Sequence, residues 1–100
     1  MHCLTVLYPA PADPKAFKTY YEGTHLPLAA GLPGLVRHHH AFPEPMGPGE
    51  APFCIFQAYF ADAAAMAAAL GSEAGRMVAA DVPNYSPRGA TLCHFAVDAG

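Results

Sequence analysis

Tryptophan is absent from this 100-residue chain, and charge is scarce: five Lys and Arg against eight Asp and Glu, a formal net charge of −3. The five cations, Lys15, Lys18, Arg37, Arg76 and Arg88, are scattered. They cannot form the basic stripe that phosphate neutralisation demands, which excludes a nucleic-acid surface. No apolar run reaches the roughly 18 to 20 residues of a membrane span. The N-terminus also lacks the basic start and continuous apolar core of a signal peptide, so a cytoplasmic protein with no membrane partner is expected. There is no GxGxxG after a strand and no glycine-rich phosphate loop, so nothing points to a dinucleotide. Three cysteines, Cys3, Cys54 and Cys93, are an odd number and far apart in apolar, strand-like segments. They read as buried free thiols rather than a disulfide frame.

Apolar residues, by contrast, make up 53 % of the chain. A single domain spanning residues 1–100 buries only a modest share of its own surface, so this richness points to further burial against a second copy. His2 to Tyr8 reads as a central strand, apolar on both faces. Asp13-Pro14 then gives an N-cap with proline at the first helical position. A helix is expected from Pro14 to about Ala30, its last turn disturbed by Pro27. Leu35 to Phe42 is a second strand, on which His38 and His40 share one face and His39 the other with Arg37. Such a run supplies at most two ligands to a metal, so an edge strand is expected there and no metal site. Pro43 to Pro52 is a loop, Phe53 to Phe60 a third strand, and Asp62 caps a helix from Ala63 to Leu70. Ser72 starts a further helical segment reaching Ala80, with Met66, Leu70, Met77 and Val78 as packing residues. Asp81 to Pro87 reads as a loop, and Ala90 to Val97 as the last strand.

The order strand, helix, strand, strand, helix, strand makes an α+β, ferredoxin-like βαββαβ fold: a four-stranded antiparallel sheet with both helices on one face. The other face then needs a cover this chain lacks, and a homodimer with sheets face to face supplies it.

The chemistry concentrates in Tyr20-Tyr21-Glu22-Gly23-Thr24-His25-Leu26-Pro27. Phe17, Tyr21 and His25 are spaced four apart and share one helical stripe, which puts a phenol and an imidazole on an apolar face. The alternative for such a histidine is a core residue tied to a backbone carbonyl. Together with Leu32-Pro33-Gly34-Leu35 and the late Ala80-Asp81-Val82-Pro83-Asn84-Tyr85, this stretch resembles the EthD family of the dimeric α+β barrel superfamily. The resemblance spans essentially the whole chain. It implies the ferredoxin-like dimeric barrel and an association with ethyl tert-butyl ether degradation, under a reductase label.

The leading reading is an oxidoreductase of catabolic metabolism acting on an apolar, oxygen-bearing compound. In it His25 is acid or base, Tyr21 orients it, and Tyr20, Asp81 and Tyr85 line the substrate pocket between helix and sheet. Asp81 and Tyr85 have a structural alternative, capping a loop and plugging the core. No resident cofactor is expected. Haem and flavin stay open, since any of six histidines could be an axial ligand and none is singled out. Without a nucleotide motif, electrons would come from a redox partner protein or from the substrate. Two other readings are a non-catalytic carrier of an apolar metabolite for an oxidative pathway, and a cofactor-free oxygenase of the same superfamily.

Overall fold

In the computed structural model, which describes residues 1–98, four strands form one antiparallel sheet. They are β1 (His2–Tyr8), β2 (Arg37–Ala41), β3 (Cys54–Phe60) and β4 (Thr91–Ala96), in the order β2-β3-β1-β4. That is the ferredoxin-like arrangement expected from the element order. β1 is central, pairing along its length with β3 (Thr5 opposite Gln57) and with β4 (Thr5 opposite Cys93). Alternation sends Leu4, Val6 and Tyr8 of β1, and Cys54, Phe56, Ala58 and Phe60 of β3, into one core beneath the helices. Each large side chain buried there contributes about 1.5–3 kcal/mol.

Asp13 caps the first helix by accepting from the Ala16 N–H at 3.1 Å, with Pro14 at its start. The expected single helix to Ala30 is instead three pieces: α1 (Pro14–Tyr20), a π-helical turn (Tyr21–His25) and α2 (Leu26–Ala30). The Leu26 N–H reaches back five residues to the Tyr21 carbonyl. Pro27 has no N–H to give the carbonyl four residues earlier, and the widened turn absorbs that mismatch just upstream of the proline. Gly34, at φ 75°, turns the chain toward β2 in a conformation that favours glycine.

The second helical region departs more from expectation. α3 (Ala63–Gly71) is capped by Asp62, and Ser72 then caps α4 (Glu73–Tyr85). Asp81 to Tyr85, expected as a loop, is helical, with Pro83 inside the helix. Met66 and Ala69 are buried, whereas Leu70 and Met77, expected to pack inward, are exposed. The alanines of α3 let Ala69 seat flat against the core. At the corner between the helices Gly75 is so close to the Ala69 and Leu70 carbonyls that a side chain there would collide with backbone.

β2 is an edge strand, as its histidines suggested. The face away from the helices, expected to be largely apolar, carries a connected polar line. His39 Nε2 meets Gln57 Oε1 at 2.8 Å, the Gln57 amide donates to Thr5 Oγ1 at 3.2 Å, and Thr5 Oγ1 lies 3.5 Å from Cys3 Sγ. Around this polar line stand Tyr59, under the Arg37 guanidinium, and Phe95, exposed. Cys3 and Cys54 are buried free thiols, but Cys93 is exposed, because β4 is the outer strand and none of the described residues covers it. Among the described residues no helix is long and apolar enough to cross a membrane.

Candidate functional site

The π turn and the end of α4 lie side by side over the sheet, and the five candidate residues Tyr20, Tyr21, His25, Asp81 and Tyr85 meet there. His25 Nδ1 is 2.9 Å from Asp81 Oδ2. The other carboxylate oxygen accepts from the Tyr20 hydroxyl at 2.7 Å and from the Asn84 amide at 3.0 Å. His25 is 3 % exposed and Asp81 8 %, so the pair is shielded from water. The histidine therefore answers to a side-chain carboxylate fifty-six positions away rather than to a backbone carbonyl.

Aromatic rings wall the pair. Tyr21 stacks on His25 at 5.4 Å between centroids and on Phe17 at the same distance, preserving the stripe through the π turn. The Tyr85 ring lies 4.6 Å from the imidazole and stacks on Tyr20. The Tyr85 hydroxyl is 2.7 Å from the Tyr8 hydroxyl. Four of the five tyrosines thus gather at one point. Asp81 and Tyr85 are four apart on α4, as Tyr21 and His25 are on the first helix, so each helix offers one titratable group and one phenol.

Protonation follows from burial. Burial lowers the His25 pKa below its ordinary 6.5, against an opposing pull from Asp81. For Asp81, burial pushes upward, but the donors Tyr20, Asn84 and His25 prevail and hold the carboxyl below its usual 3.8. At neutral pH the pair is a neutral imidazole donating its Nδ1–H to a carboxylate, rather than an ion pair. Nε2, which takes no hydrogen bond from the described residues, then carries the lone pair. Burial raises the phenols of Tyr21 and Tyr85 as well, so both stay protonated. The Tyr21 hydroxyl is buried without a partner among the described residues. Burial likewise pushes the Cys54 thiol up to about 12, which makes it inert.

Tyr8 and Asn84 complete the cluster and were not picked out from the sequence. Asn84 sat within the late motif, and Tyr8 is the last inward-facing residue of β1, ahead of Pro9; neither position alone marks a site. Of the histidine run, His40 Nε2 approaches Glu22 at 3.5 Å, His38 lies against Phe56, and His39 points to the opposite face. Among the described residues no three His, Cys, Asp or Glu side chains are placed to hold one metal ion.

Open space lies beside the cluster rather than over it. Rings fill the region between the π turn and the sheet where a pocket was expected. A groove of about 980 Å³ starts one ring further on, at Tyr8, and runs under the loop between β2 and β3.

Residues 10–88 match the EthD domain model. The chain belongs to the EthD family. A Rhodococcus erythropolis relative, described as an uncharacterized 11.0 kDa protein in the thcB–thcC intergenic region, is 32 % identical over 93 residues, 92 % of this chain and 90 % of that one. The crystal structure of an EthD family protein from Bacillus halodurans superposes with a TM-score of 0.88 at 26 % identity, over 98 % of this chain and 99 % of that one. SnoaB, a cofactor-independent oxygenase from Streptomyces nogalater, shares the fold at TM-score 0.65 and 17 % identity, over 99 % and 93 % of the two chains.

Proposed function

We propose that this EthD protein is a small-molecule enzyme of oxidative catabolism in which His25 takes a proton from an apolar, oxygen-bearing substrate. The observation that carries the reading is the 2.9 Å contact of His25 Nδ1 with a carboxylate that two further donors hold in place. Asp81 fixes the tautomer, leaving Nε2 as the base, and stabilises the imidazolium once the proton arrives. Tyr21 confines the ring by stacking and Tyr85 by a tilted contact, and Tyr20 orients the carboxylate. The electrons of a net oxidation come from the substrate or from a redox partner protein, since none of these residues is itself an electron carrier. Deprotonating an electron-rich substrate that then reacts directly with oxygen is the form of the reading that the fold likeness to a cofactor-independent oxygenase supports.

The working unit in this reading is a cytoplasmic homodimer with the two helix-free sheet faces together. Support comes from Phe95, 43 % exposed on that face, across β1 from Tyr59 and left uncovered by the described residues.

A screen of ethers, ketones and phenols for product formation and oxygen uptake, without added cofactor, tests the reaction. His25→Ala should lower any turnover found by about 10²–10⁴-fold, the usual weight of a positioned base. Unchanged turnover in that variant would end the reading. A second reading, a carrier that binds an apolar metabolite without transforming it, is favoured by the groove's lying beside Tyr8 rather than over His25. It predicts affinity with no product.

A further inference from the structure

The groove beside Tyr8 has a composition that the His25 reading leaves unused. Its walls are Tyr8, Phe42 and Phe53, with prolines 9, 43 and 52 at the ends of the segments that close it. Lys18 and Arg88 also line it, on α1 and in the turn ahead of β4. Neither cation meets a carboxylate among the described residues. Each is nonetheless held. Lys18 Nζ lies 4.6 Å from the centre of the Phe42 ring and 5.9 Å from that of Phe53. The Arg88 guanidinium donates to the Ala10 carbonyl at 3.3 Å.

Lys18 held on aromatic rings and Arg88 held by a single bond to a carbonyl, both lining an open groove, keep donors free for an anion. The single carboxylate on the lining, Glu50, leaves two positive charges against one negative. That balance suits a monoanion. The rings and prolines require an apolar body behind the charge, which excludes inorganic phosphate or a sugar phosphate as the natural occupant. About 980 Å³ accommodates a ligand of some ten heavy atoms with room at the mouth, within the usual range for small-molecule pockets of about 300–1,000 Å³.

We propose that this groove is a binding site for an apolar monocarboxylate, its hydrocarbon part against Tyr8, Phe42 and Phe53 and its carboxylate at Lys18 and Arg88. The Tyr8 ring that walls the groove carries the hydroxyl bonded to Tyr85, and Tyr85 lies against His25. The groove therefore deepens the His25 reading by naming a ligand class at a site joined to the base through Tyr8 and Tyr85, and it rests on that reading only for what happens after binding.

Isothermal titration calorimetry with octanoate and with octanamide, its neutral isostere, tests the site in the intact protein. Octanoate should bind at least about tenfold more tightly than octanamide, the share of a charge-assisted contact. Raising the salt from low to about 0.5 M should weaken octanoate alone. Lys18→Met and the double variant Lys18→Met/Arg88→Met should each weaken octanoate severalfold and leave octanamide unchanged. Lys18→Met alone keeps the Arg88 bond to Ala10 and so guards against a folding defect. Equal affinity for the two probes, octanoate binding unaltered in the double variant, or no octanoate binding at millimolar concentration would each overturn the proposal. None of these readouts involves turnover, so its failure is distinct from a failure of His25 as base.

Discussion

His25 and Asp81 are 2.9 Å apart because the π turn and the C-terminal part of α4 lie side by side over the sheet, each running into a proline. Pro27 follows His25 by two positions and Pro83 follows Asp81 by two. At both places the helix gives up a backbone donor, and at both a titratable side chain turns inward. The contact has no equivalent within either helix alone.

Asp81→Asn tests what the carboxylate contributes. An amide cannot accept from Tyr20, Asn84 and His25 with its –NH₂ group in place of an oxygen, so at least one buried donor loses its partner. Stability should fall by about 1–3 kcal/mol in chemical denaturation. Turnover should fall further than stability explains, because the imidazole loses the group that sets its tautomer.

The pH dependence of stability has a definite sign. His25 binds its proton less readily folded than unfolded, so stability declines as pH falls below 6.5 toward the lowered folded value. Asp81 is likewise depressed, and its contribution is lost as pH falls below 3.8. Urea midpoints measured from pH 8 to 3 should decline in both windows. Asp81→Asn should abolish the lower decline, and His25→Ala the upper.

The hydroxyls of Tyr8 and Tyr85 satisfy each other at 2.7 Å in a buried setting. Tyr8→Phe or Tyr85→Phe alone strands one hydroxyl and should cost about 1–2 kcal/mol. The double variant should cost less than the sum of the two, leaving a positive coupling in a double-mutant cycle. Additive losses would mean that water already serves both groups.

Sedimentation of wild type against Phe95→Glu tests the dimer. The wild type should sediment as two copies and the variant as one, since a carboxylate would be buried unpaired in the interface. A wild-type monomer would remove the face-to-face arrangement.

The strands and the extent of the first helical region, though not its π turn, were legible in sequence because alternation, N-caps and turn residues agree at each of them. Asp81 to Tyr85 was not. A proline within five residues normally argues for a loop, and only packing against the π turn and Tyr8 makes the helix continue through Pro83. The pairing of Asp81 with His25 was hidden for the same reason, since the i, i+4 relation of Asp81 to Tyr85 appears only once the segment is helical. The exposure of Cys93 followed from strand order, which composition does not encode. The polar line from His39 through Gln57 to Thr5 was obscured because each residue sits singly among apolar neighbours and only the register joins them.

The most direct test of the account is the protonation and tautomer of His25, read from its ring nitrogens by ¹⁵N NMR as pH is lowered from 8. At neutral pH the ring should be neutral, with the proton on Nδ1 and an unprotonated Nε2, and should take up its second proton only below 6.5. A ring already doubly protonated at neutral pH, or a neutral ring with its proton on Nε2, would contradict the assignment of His25 as the base.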